Sequence, residues 1–105
     1  ENSRIQIFDQ DGKFITKWTD VLSPCDVYFG PDRLCYVAEM GIPIGHSTTG
    51  VSIFTLDGKL VGRWRGGRDA VTEAPHGIWA DSRGDVYVAD LARHGHGIRK
   101  FVRVR

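Results

Sequence analysis

The chain has 105 residues and a formal net charge of +1, from 14 basic and 13 acidic side chains; that length suffices for one small domain with its own core. Arg and Lys are scattered between apolar runs instead of clustered, which disfavours a nucleic-acid partner. No apolar stretch approaches the roughly 18 residues of a membrane-spanning helix, so no membrane span is expected.

Apolar residues alternate with period two in short runs bounded by Gly, Pro and Asp, and no window carries a helical stripe. The spacing predicts nine strands, at residues 4–8, 13–18, 25–29, 34–39, 51–55, 60–65, 76–80, 85–90 and 98–104. Asp11-Gly12 joins the first two, its glycine supplying the positive backbone angle of a tight hairpin. Asp57-Gly58 does the same for the fifth and sixth, and Ser82-Arg83-Gly84 closes a third turn. Asp9, Asp81 and Asp90 stand at strand ends, where a carboxylate caps a turn more readily than it catalyses. Gly30-Pro31-Asp32-Arg33 reads as a four-residue turn that pairs Phe29 with Leu34 and Val27 with Tyr36. In that register Cys25 shares the face of Val27 and Tyr36 while Cys35 lies on the other, so no disulfide is expected between them. Trp18, Trp64 and Trp79 are expected in the core, packed between sheets, not as a carbohydrate platform.

Two pairs of segments are copies. Pro24 to Glu39 aligns without a gap on Pro75 to Asp90, a shift of 51 (75 minus 24), and Ile5 to Ile15 recurs as Val51 to Val61, a shift of 46 (51 minus 5). Strand, turn, strand, loop, strand, turn, strand is a four-stranded antiparallel meander. Such units repeated every 40 to 50 residues are the signature of β-propeller blades. The expected fold is therefore all-β, a β-propeller fragment of about two and a half blades. Residues 1–20 give the outer half of one blade, 21–68 a complete blade, and 69–105 a last, three-stranded one. The chain starts at Glu1 already inside a repeat, and we read it as the C-terminal part of a longer chain. Its expected partner is then the remainder of its own propeller, and the fragment alone is expected to associate through exposed sheet edges and faces.

The segments Pro75-His76-Gly77-Ile78-Trp79-Ala80-Asp81, Gly84-Asp85-Val86-Tyr87-Val88-Ala89-Asp90 and Asn2-Ser3-Arg4-Ile5-Gln6-Ile7-Phe8-Asp9 resemble NHL repeats, over nearly the whole chain. NHL repeats usually build six-bladed propellers. More narrowly, a Pro-His opening an innermost strand is similar to peptidyl-α-hydroxyglycine α-amidating lyase and its bacterial relatives. That resemblance implies a zinc ion in a central channel, held by three histidines that each open the innermost strand of an alternate blade. His76 occupies one such place, and Cys25 stands at the matching place of the intervening blade. The remaining ligands and the catalytic Tyr and Arg of the family would lie upstream of Glu1. The resemblance also implies a structural calcium, a secreted or periplasmic location, and cleavage of a C–N bond to give peptide amide and glyoxylate from a small peptide substrate. This chain departs from the lyase pattern at Ala74, where the family has Met, and at Gly77, where it has an Asp that helps hold the calcium.

His76 is thus the candidate metal ligand, since zinc takes three or four N, O or S donors with one position open for catalysis. Against this stands a plain histidine lining a wet channel. Cys25 is a second candidate, set against the usual role of a free cysteine as a small buried hydrophobe. Asp26 is the one carboxylate placed to serve a propeller hydrolase that holds calcium. His46 and the pair His94 and His96 sit in loops, where a solvated turn is the default. No Gly-rich phosphate loop opens a helix, and there is no Gly-x-Ser-x-Gly elbow. A different class of function remains open: a non-catalytic NHL scaffold binding a protein or small ligand through the rim loops 40–50 and 66–75.

Overall fold

The computed structural model describes residues 3–41, 49–65, 75–90 and 97–101. Within them the chain is all-β, and every strand pairing is antiparallel. β1 (Ile5–Phe8) and β2 (Phe14–Trp18) form a two-stranded sheet. β3 (Pro24–Phe29), β4 (Leu34–Glu39), β5 (Gly50–Thr55) and β6 (Leu60–Arg65) form a four-stranded one. β7 (Pro75–Ala80), β8 (Val86–Asp90) and β9 (Gly97–Phe101) form a three-stranded one. In each sheet the strands lie in chain order, as short hairpin connections dictate.

Four turns share one geometry. The amides of Gly12, Gly58, Gly84 and Arg33 each donate to the carbonyl three residues back, on Asp9, Thr55, Asp81 and Gly30. All four residues hold a positive φ, 83° at Gly12, 91° at Gly58, 84° at Gly84 and 65° at Arg33. This is a type I turn followed by one left-handed residue. The carboxylates capture the turn amides as their positions suggested. Asp9 Oδ1 accepts from Asp11 and Lys13 N–H, and Asp81 Oδ1 from Arg83 and Asp85 N–H. Thr55 takes the same part with its hydroxyl, accepting from Lys59 N–H at 3.0 Å. The side chain of Asp90 lies outside the described residues.

The left-handed Arg33 corrects the expected register. It adds a residue to the turn, so Gly30 N–H bonds Leu34, Phe29 pairs with Cys35, and Val27 with Val37. Cys35 therefore shares the face of Val27, contrary to the expectation. Both thiols are free; Cys35 pairs four residues up the strand from Cys25, about 13 Å at strand rise.

The sheets stack face to face through two apolar layers. Val27, Cys35, Val37 and Phe54 meet Ile5, Ile7, Trp18 and Val21 on one side of the four-stranded sheet. On its other side Tyr28, Tyr36, Ala38, Val51, Ile53 and Trp64 meet Ile78, Ala80, Val86, Val88 and Phe101. Trp18 tilts onto Phe54 and Trp64 onto Phe101 with centroids 5.4 Å apart in each pair, so both pack between sheets as expected. Full burial of a side chain such as Phe54 contributes about 1.5–3 kcal/mol. Trp79 does not follow. It is 52% exposed and stacks on Tyr87 at 4.6 Å, because strand alternation puts it on the face of β7 opposite Ile78 and Ala80. No described sheet covers that face.

Candidate functional site

Among the described residues the first strands of the two larger sheets, β3 and β7, are edge strands, and both begin on a bulge. Pro24 pairs with Glu39 and Asp26 with Ala38, which leaves Cys25 as the extra residue. Pro75 pairs with Asp90 and Gly77 with Ala89, which leaves His76. A bulge residue escapes the ladder and re-aims its side chain. His76 and Cys25 are both exposed.

The approach to Cys25 is held tightly. Ser23 adopts φ 48°, an uncommon conformation for a residue with a side chain. Its amide donates to Ser3 Oγ at 3.0 Å, and its carbonyl accepts from Met40 N–H at 3.0 Å. The Cys25 thiol points back at that carbonyl, Sγ to O 3.9 Å. Although the residue is exposed as a whole, partial desolvation pushes the Cys25 thiol up, and the Asp26 charge adds to the shift, so it stays protonated at neutral pH and is a poor thiolate donor. Arg4, Ile5, Pro24, Cys25, Asp26 and Val27 line an open hollow of about 380 Å³ beside β1.

Asp26 joins the two sheets. Its Oδ2 accepts from the Ile78 amide at 2.9 Å across 52 residues of sequence, so a donor at the outer edge of β7 is satisfied by a carboxylate from β3. Asp26 and His76 are thereby brought to one end of two adjacent strands, with Cys25 beside Asp26 on the same strand. His46, His94 and His96 lie outside the described residues. Among the described residues no three His, Cys, Asp or Glu side chains come together as a metal-binding group. His76 fits the part of a single imidazole donor. A complete three-ligand zinc site would need donors from beyond the described residues.

A charged cluster that the sequence did not single out lies elsewhere among the described residues. Glu39 is fully buried. Its carboxylate accepts from Leu22 N–H at 2.7 Å, Ser52 Oγ at 2.6 Å and Arg65 Nη2 at 3.0 Å. Arg63 extends the chain, donating through Nε to Ser52 Oγ at 2.7 Å and through Nη1 to Asp20 at 3.1 Å. The network ties the segment before β3 to β4, β5 and β6, and gives Glu39 no open face for a ligand. One signal for it was present in the sequence: the repeat sets Glu39 opposite Asp90, a carboxylate at the same place in both copies. Asp81 is a second anchored carboxylate. Desolvation pushes it up, but the amides of Arg83 and Asp85 and the Tyr87 hydroxyl outweigh that and hold it below the usual range.

Neither protein-family models nor curated proteins match this chain.

Proposed function

We propose that the three stacked sheets are consecutive blades of an NHL-type β-propeller, and that His76 is one ligand of a zinc ion in an amidating-lyase-like site. The observation that supports this reading is the bulge at His76. It frees an exposed imidazole from the ladder at the start of a first strand, the place the lyase resemblance assigns to a ligand. Zinc, when bound, supplies Lewis acidity toward the α-hydroxyl of an α-hydroxyglycine terminus. The part of this chain is to hold the His76 imidazole in place and to keep β3 and β7 together behind it. The other ligands and the base belong to segments outside the described residues.

The test is glyoxylate release from an α-hydroxyglycine-terminated peptide by the full-length protein supplied with zinc. The expected result is release that collapses in His76→Ala while the variant stays folded. No release by the folded, zinc-supplied protein would remove the lyase reading. It would shift attention to a non-catalytic propeller that binds through the loops 40–50 and 66–75.

A further inference from the structure

We propose that Asp26 is a positioning residue for His76, acting across the boundary between two sheets; for a metal role of His76 this rests on the reading above. As the bulge residue, His76 takes no part in the pairing of β7 with β8, which resumes only at Gly77 and Ala89. Its aim is therefore set by what fixes the backbone on either side. On the C-terminal side β8 holds one edge of the strand from Gly77 onward, and the other edge is held by the bond from Ile78 N–H to Asp26 Oδ2, 2.9 Å long and two residues beyond the imidazole. An edge-strand amide has no ladder partner on its outer side, and leaving it unpaired in a sheet-to-sheet contact is costly. The carboxylate also stands directly against residue 77, since a Cβ built there would lie 3.8 Å from Asp26 Oδ2. Asp26 thus holds the two residues after His76 and ties their position to β3. At the corresponding place in β7 the chain has Gly77, so within the aligned pair the hook runs one way, from the four-stranded sheet to the three-stranded one.

The experiment uses the full-length protein with ¹³C-labelled histidine, the His76 signal being assigned by its loss in His76→Ala. Amide exchange at Ile78 is read on the same samples. In Asp26→Ala the Ile78 amide exchanges faster and the His76 ring signals shift. In Asp26→Asn, which keeps an acceptor oxygen, both stay near wild type. Unchanged His76 signals in Asp26→Ala overturn the proposal. Should that variant not fold, Asp26→Glu replaces it; it moves the carboxylate by one methylene, and unchanged His76 signals there overturn the proposal equally. Titration with zinc alone separates the two claims. Outer-shell partners of a metal ligand typically change affinity about 10–100-fold, so Asp26→Ala is expected to weaken zinc binding by about that factor and Asp26→Asn to restore it. Wild-type zinc affinity in His76→Ala would overturn the metal reading, while the ring signals still decide the role of Asp26.

Discussion

Gly58→Ala and Gly12→Ala change the same place in two turns of identical geometry, and their costs are expected to differ. Gly12 and Gly58 both sit in the left-handed region, at φ 83° and 91°. Alanine there costs about 1–2 kcal/mol, partly offset by about 0.4–1 kcal/mol from a less flexible unfolded chain. For Gly12 nothing else follows, because an added Cβ would meet no atom within 4 Å. For Gly58 the added Cβ would stand 2.5 Å from Nε1 and 2.9 Å from Cδ1 of Trp18. The indole cannot swing clear, since Trp18 is only 8% exposed and is pressed on Phe54. Overpacking of this kind costs about 1–3 kcal/mol, so Gly58→Ala is expected to lose that much more than Gly12→Ala. The assay is urea unfolding followed by tryptophan fluorescence. With a slope of about 1–3 kcal/mol per molar urea, the two midpoints should separate by about 1 M. Equal midpoints would refute the claim that Gly58 is required by the approach of Trp18 and not by the turn alone.

Glu39→Ala strands the Arg65 guanidinium, whose Nε is already buried without a partner among the described residues, and is expected to cost about 3–5 kcal/mol, a large share of a typical domain stability of about 5–15 kcal/mol. Glu39→Gln keeps an acceptor and should cost less, about 1–3 kcal/mol; equal losses in urea unfolding would argue against the charged pairing. Burial pushes the Cys35 thiol from 9.0 up to about 11, so between those values the unfolded chain gives up a proton that the folded chain keeps. Stability from this group is complete below pH 9 and is lost as pH rises toward 11, by about 1.4 kcal/mol per pH unit at most. Thermal melts of wild type and Cys35→Ala should therefore converge from pH 9 to 11, and a constant gap would show that Cys35 ionises normally.

Local chemistry was legible in the sequence and long-range pairing was not. The turns at Asp9–Gly12 and Asp81–Gly84 could be read directly, because an Asx carboxylate and a left-handed glycine lie within four residues. The turn at Arg33 could not, since nothing in its residue type announces a positive φ, and that single angle moved Cys35 to the other face. The alignment placed Cys25 and His76 at the same position, but a bulge exists only relative to the partner strand, so the pairing with β4 and β8 had to be seen. Asp26 and Ile78 meet only once two sheets are stacked, and Leu22 meets Glu39 only once β3 has paired with β4. Trp79 shows the converse: its strand was legible, while its cover depends on what packs against the three-stranded sheet.

The most direct test of the central claim is zinc K-edge anomalous diffraction from crystals of the full-length protein grown with zinc. The account predicts an anomalous peak about 2.0–2.1 Å from an imidazole nitrogen of His76, shared with donors from outside the described residues. A bound zinc distant from His76, or a His76 side chain turned to solvent with no metal beside it, would contradict it.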